Sequence, residues 1–387
     1  MMYRAICLVL LSVLVHAPVA LASTGNRLAL FIPDDTPFWN RVVLFARAAT
    51  EDMGDELTVF DADADRLRMQ RQFESALRGD RAFDAAIFPN FLQTASRFLE
   101  ICAQEAVPCV LFNSGLQEPE NGVGGQTDGS NPHWIAHLVP DDVGSSADMT
   151  EYLIRRAEQG ASSEPVTMAA INGYRSDTPA IKRERGVRQV LERRPDVTFT
   201  QMFYTDWSAG EAKTRLSGLL QRYPRVDVVW SANYRITEGI LSAMEEEGLT
   251  PGQDLLINSY DINPATLEQV ADGRVTITAG GHYVEGAWSV ILAHDYLGGA
   301  WPATDRPVFD TPLLLVNRNN VGVVRKALGR LEDNPDSLSR VDFTRYSRLE
   351  NPNRKHYEFS LRDVLKRYQS NWAMAPRQGL FERSTTQ

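Results

Sequence analysis

The 387-residue chain predicts an α/β protein of two doubly wound, parallel-sheet lobes joined by a multi-strand hinge, with a ligand cleft between them. Three observations carry that prediction. Short apolar strands alternate with amphipathic stretches of helix length. The strands are apolar on both faces, as strands of a parallel sheet covered by helices on both sides must be. The alternation also breaks once, at a Gly-, Asn- and Asp-rich stretch over 117–132, and then resumes as a second series.

Taken in order, residues 1–4 are a short basic start, 6–15 an apolar run, and Ala20-Leu21-Ala22 a small-x-small site. This reads as a secretory signal peptide cleaved after Ala22. The run is shorter than the ~20 residues a membrane span needs. Cys7 lies at the front of the run, whereas a lipoprotein signal holds its cysteine at the cleavage point. An exported, soluble chain is expected. About 365 residues then remain, enough for two domains.

Strands are expected at 28–32, 57–60, 85–88 and 109–112, separated by helices at 38–53, 67–78 and 91–105. After the break come a strand at 135–139 and further strands at 166–171, 197–203, 226–230 and 255–259. The helices of this second series fall at 179–193, 209–222, 235–247 and 264–272. A strand at 275–279, a helix at 284–297 and an apolar run at 311–316 return the chain to its first lobe. The expected division is a leader at 1–22, an N-terminal lobe of 23–139 plus 283–311, a C-terminal lobe of 140–282 plus 312–320, and a C-terminal extension over 321–387. The extension mixes aromatics with Arg and ends in a short amphipathic helix, so it is expected to pack on the lobes up to about residue 373.

Lys and Arg number 40 against 50 Asp and Glu, a formal charge of -10 that argues against nucleic acid, whose phosphates need clustered cations. Cys102 and Cys109 lie at a helix end and the following strand; a disulfide and two buried free thiols both fit.

Open α/β sheets bind ligands beyond the carboxyl ends of their strands. Those positions here hold Thr36, Phe38 and Trp39 after the first strand, Asn90 after the third and Asn113 after the fourth. The second series adds Asp142, Arg183, Trp207, Asn233, Tyr260 and Asp261, with His282 after the last strand before the crossing. Flat rings stack on sugar-like faces while amides, carboxylates and a guanidinium meet hydroxyls, so the set suits a small polar or polyhydroxylated molecule. Each residue also has a plainer use. Asp142 and Asn233 fit helix caps, Phe38 and Trp39 fit a first-turn core, and Arg183 fits a surface ion pair.

These residues resemble the type I periplasmic binding proteins, in particular the ribose-binding subgroup, whose fold is shared by the effector domains of lactose-repressor-type regulators. Thr36-Pro37-Phe38-Trp39 is similar to that subgroup's Asn-Pro-Phe-Phe, and Arg183-Glu184-Arg185-Gly186 to its Arg-Glu-Arg-Gly. Ser231-Ala232-Asn233, Ser259-Tyr260-Asp261 and Thr276-Ile277-Thr278 follow in the expected order, and the resemblance covers about residues 27–320. It implies stacking by Phe38, Trp39 and Trp207, hydrogen bonds from Arg183, Asn233 and Asp261, and capture by lobe closure. It also implies a periplasmic, monomeric receptor without a cofactor, serving an ABC permease. A membrane sensor kinase is the alternative partner, since the extension resembles that of some signalling receptors. The pattern departs at Thr36, at Asn113-Ser114 where Asp-Arg is usual, and at Gly280-Gly281-His282 where a glutamine is expected, so a ligand other than ribose is implied. The two glycines suit either a hinge or a plain tight turn.

An exported α/β enzyme is the competing class. The chain holds no Gly-x-Ser-x-Gly, Gly-x-x-x-x-Gly-Lys or His-Glu-x-x-His. His133 and His137 straddle a loop-to-strand boundary, and Gly122-Val123-Gly124-Gly125 lies in the polar insert rather than between a first strand and its helix.

Overall fold

The computed structural model describes residues 25–79, 83–116, 131–160, 164–300, 308–332, 338 and 341–366. The expected leader, most of the polar insert and the tail beyond 373 lie outside the described residues.

The first lobe follows from three βα steps and two further strands: β1 (Arg27–Ile32), α1 (Pro37–Met53), β2 (Glu56–Asp61), α2 (Arg66–Arg78), β3 (Ala85–Phe88), α3 (Ala95–Glu105), β4 (Cys109–Leu111) and β5 (Trp134–Pro140). Local chemistry sets the ends. Pro37 opens α1 and Gly54, at φ 69°, closes it; Asp65 caps α2 by accepting the Leu67 and Arg68 N–H groups. A continuous helix over 91–105 is not formed. Leu92 and Gln93 take φ of 46° and 62°, and the Asn90 side-chain oxygen accepts the Ala95 N–H at 3.0 Å, so the helix starts afresh at Ala95. Cys102 and Cys109 are joined by a disulfide that ties α3 to β4.

The second lobe runs α4 (Asp142–Glu158), β6 (Thr167–Asn172), α5 (Thr178–Arg193), β7 (Thr198–Tyr204), α6 (Ala209–Arg222), β8 (Val228–Ser231), α7 (Tyr234–Glu246), β9 (Leu256–Tyr260), α8 (Pro264–Asp272) and β10 (Ile277–Gly280). The chain then returns through α9 (Glu285–Leu297), which packs on α1, and β11 (Val308–Thr311), which pairs with β5. It crosses once more into β12 (Leu314–Asn317) and α10 (Val321–Glu332). The apolar run at 311–316 takes in the end of β11 and most of β12. Pro312, which lacks a backbone N–H, separates two strands that belong to different sheets.

Each sheet has six strands, ordered β11-β5-β4-β3-β1-β2 and β12-β10-β9-β8-β6-β7. All recorded pairings are parallel except that of β12 with β10, an antiparallel edge on an otherwise parallel sheet. The chain passes between lobes at 140–142, 280–285 and 311–314, so three strands of backbone form the hinge. At the second crossing Gly281 has φ 98°, a conformation costly for any residue with a Cβ.

The segment after α10 docks on lobe one through a buried carboxylate. Asp295 of α9 accepts hydrogen bonds from the Ser347 hydroxyl, the Arg348 and Leu349 N–H groups, and the Tyr357 hydroxyl at 2.6 Å. Phe359 stacks on Trp288 at 4.8 Å. Removing the acceptor leaves these donors buried, so Asp295→Ala is expected to lower the unfolding free energy by about 3 kcal/mol in a urea titration.

Candidate functional site

The carboxyl ends of both sheets' strands converge on the cleft, and the lobes touch across it. Arg41 on α1 donates from Nη1 to the Ile262 carbonyl of lobe two at 3.1 Å, and the Thr178 hydroxyl donates to the Gly115 carbonyl of lobe one at 2.6 Å. The molecule is in a closed arrangement.

Arg183 anchors the lobe-two wall. Its Nε donates to Asp142 Oδ1 at 2.8 Å, its Nη1 donates to the Ala232 carbonyl at 2.6 Å, and the guanidinium lies 3.9 Å from the centre of the Tyr260 ring. Nη2 makes no hydrogen bond among the described residues. Both members of the pair are buried, Arg183 at 5% exposure and Asp142 at 1%. Burial pushes Asp142 upward, and the adjacent guanidinium only partly offsets this. The local sequence explains the approach. Gly186, one turn after Arg183, sits where a Cβ would come within 2.3 Å of the Val143 carbonyl, so only glycine lets α5 lie this close to α4 and bring Arg183 to Asp142. The Ser146 hydroxyl closes the same contact by donating to the Arg183 carbonyl at 2.6 Å.

Trp207 stands beside this group with φ 67°, its indole packed on Gly173, where a Cβ would lie 2.0 Å from the ring. Its Nε1 donates to Asp177 Oδ2 at 2.8 Å, which fixes the ring plane. Asp261, also left-handed at φ 74°, accepts the Tyr234 N–H; burial pushes its carboxyl up to about 6. Its Oδ1 is 3.8 Å from His282 Nε2, too far for a hydrogen bond. Burial holds His282 well below the usual histidine range, so the ring is neutral, and its buried Nδ1 has no partner among the described residues.

Lobe one faces this wall with rings. Phe38 lies 4.6 Å from His282 and meets Trp39 edge-on at 5.1 Å, and Trp39 in turn meets Phe112 at 6.0 Å. Both Phe38 and Trp39 are half-buried. Asn113, at φ 64°, donates its N–H to Glu285 Oε2 at 3.0 Å, and Glu285 Oε1 is bonded to the Thr311 hydroxyl.

Other expected residues are held by the framework. Asn90 donates to the Gly115 carbonyl at 2.9 Å and caps α3; Asn233 Oδ1 caps α7 by accepting the Ile236 N–H at 2.7 Å. Thr36 precedes α1 without a side-chain cap, its N–H bonded to Asp34 Oδ1. Sequence reasoning missed Arg41, Thr178 and Glu285. Arg41 lies three residues after Phe38, one turn along the same helix face, which is a readable signal. Glu285 carries none, because its partners Asn113 and Thr311 are distant in the chain.

Two acids, buried Glu285 and largely buried Asp261, make stability fall as pH rises. Burial raises Glu285 from its ordinary 4.5 to about 8 and Asp261 from 3.8 to about 6. Between the ordinary and the raised value the folded chain binds more protons than the unfolded one, so unfolding free energy declines with pH across roughly pH 4 to 6 for Asp261 and continues declining to about 8 for Glu285. Glu285→Gln should flatten the upper part of that decline, read as melting temperature against pH; an unchanged slope between pH 6 and 8 would contradict the assignment.

The model of the periplasmic binding protein domain matches residues 29–300. A periplasmic sugar-binding protein from Pseudomonas fluorescens superposes with a TM-score of 0.77 and 25% identity, covering 88% of this chain and 99% of its own. That coverage is too great to omit the whole stretch after residue 320. The D-apiose import binding protein of Actinobacillus succinogenes is 21% identical over 312 residues, 78% of this chain and 91% of its own length. The arabinose ABC transporter's binding protein from Shewanella sp. ANA-3, solved with arabinofuranose, shares the fold with a TM-score of 0.67 and 19% identity, over 78% of this chain and 94% of its own. With its two six-stranded lobes, three crossings and cleft at the strand ends, the chain belongs to the periplasmic binding protein family, type I.

Proposed function

We propose that the protein captures a small, sugar-like solute in the periplasm by lobe closure and presents the closed form to an ABC permease of the inner membrane. The observation that carries this reading is the facing of two walls: rings of Phe38 and Trp39 from lobe one, and Arg183, Trp207, Asp261 and His282 from lobe two and the hinge. Aromatic faces cover the apolar sides of a sugar ring, and polar edges meet its hydroxyls. Arg183 Nη2 and the Asp261 carboxylate supply a donor and an acceptor, and neutral His282 supplies whichever its tautomer leaves open. The relatives' names add the transport context: one is an import binding protein and another a component of an arabinose ABC transporter.

Arg183 is held before any solute arrives. Its pairing with Asp142 and its stacking on Tyr260 fix the guanidinium without ligand, so binding does not have to order it. Solute contacts made by both lobes at once stabilise the closed state over an open one, and that difference is what a permease can read.

Which sugar binds is set by a thermal-shift and calorimetric series with L-arabinose, D-ribose, D-galactose and myo-inositol. Trp207→Ala is expected to weaken the best of these by about 1–3 kcal/mol through lost stacking, with the fold retained. Arg183→Ala should weaken binding and also cost stability by about 3 kcal/mol or more, because it leaves Asp142 buried and unpaired. Absence of saturable heat with every compound, or conversion of a sugar during the titration, would overturn the receptor reading.

A further inference from the structure

The C-terminal segment is not confined to one lobe. Its first part belongs to lobe one: the turn at Phe343–Tyr346 packs on α1 and α9, the Phe343 N–H donates to Asp52 Oδ2 at 2.7 Å, and Tyr346 lies 4.7 Å from Trp288. Phe359 completes this part between Trp288 and Phe309. Two residues later the attachment changes. Leu361, 2% exposed, covers Gly281 at the second crossing so closely that a Cβ on the glycine would meet its side chain at 2.6 Å. The helix Leu361–Lys366 then packs against α10 of lobe two, with Val364 and Leu365 buried. The Tyr346 hydroxyl donates to Asp363 Oδ2 at 2.9 Å, joining the two parts.

We infer that residues 341–366 are a brace that holds the two lobes in the closed arrangement and so sets how much of the ligand-free protein is closed. Only Ser360 separates the residue seated on lobe one from the residue seated on the hinge and lobe two, and two residue steps span at most about 7 Å. Rotation of the lobes about the crossings moves α10 relative to α9, so the segment cannot keep Phe359 on Trp288 and Leu361 on Gly281 together once the cleft opens. Both seats are occupied in the arrangement where Arg41 reaches Ile262 and Thr178 reaches Gly115. Contacts present in one of two states shift the population toward that state. The inference rests on the lobe-closing reading, but it concerns the resting equilibrium rather than the solute.

The test measures lobe separation without ligand, so a failure to bind sugars does not affect it. Nitroxide labels on cysteines introduced at Leu67, 58% exposed on α2, and at the exposed Glu245 on α7 report the distance between lobes by double electron–electron resonance. Leu361→Asp in the full-length chain should move the distribution to longer distances, with the closed fraction falling roughly tenfold. Leu361→Ala should shift it in the same direction by less, which keeps the test open if the aspartate variant is poorly folded. Identical distributions in all three proteins, with only a lowered melting temperature, would reduce the segment to a fold staple and overturn the inference. A shift to shorter distances would overturn it too, making the segment a spacer that holds the lobes apart.

Discussion

The buried ion pair between Arg183 and Asp142 is the constraint around which the cleft is arranged. Removing two charges from water is costly unless each is paired and hydrogen-bonded, and the pair recovers that cost from three directions: the Nε–Oδ1 bond, the Ala232 carbonyl and the face of Tyr260. The requirement propagates outward. Gly186 must be glycine for α5 to approach α4, Ser146 must close the contact, and Tyr260 must stay buried beneath the guanidinium. A cation fixed this way keeps one nitrogen, Nη2, without a hydrogen bond among the described residues.

Much of the fold was legible in the sequence. Parallel strands buried on both faces give short apolar runs, and helices between them repeat at three and four, so β1 to β10 and the helices expected between them fall within a few residues of expectation; α4 was not expected, since its buried face mixes Ser145, Ser146 and Thr150 with Met149, Leu153 and Ile154. The departures have physical causes. The 311–316 run was legible only as an apolar stretch, because composition does not show that Pro312 sits at a crossing and that the residues on its two sides join different sheets. The break at 91–94 was hidden because left-handed Leu92 and Gln93 leave no compositional trace.

The candidate site was legible where a residue's position follows from its place after a strand. Arg183, Trp207, Tyr260, Asp261 and His282 do come together, with Phe38 and Trp39 opposite. Asn90 and Asn233 look the same in sequence but cap helices, because an amide after a strand serves a cap and a ligand equally well. Glu285 was invisible for the opposite reason: its meaning lies in Asn113 and Thr311, brought to it only by the hinge. The C-terminal segment could be expected to pack, from its aromatics, but not to bridge two lobes, since that depends on where Gly281 ends up.

The central claim is that a sugar lies between the two walls with Arg183 as its fixed cation. The most direct measurement is the electron density of crystals grown with the best-binding sugar. The account predicts a ring between Phe38 or Trp39 and Trp207, with an Arg183 Nη2 donor on one of its oxygens. A sugar bound elsewhere, or a cleft closed by side chains alone in crystals that contain it, would contradict the account.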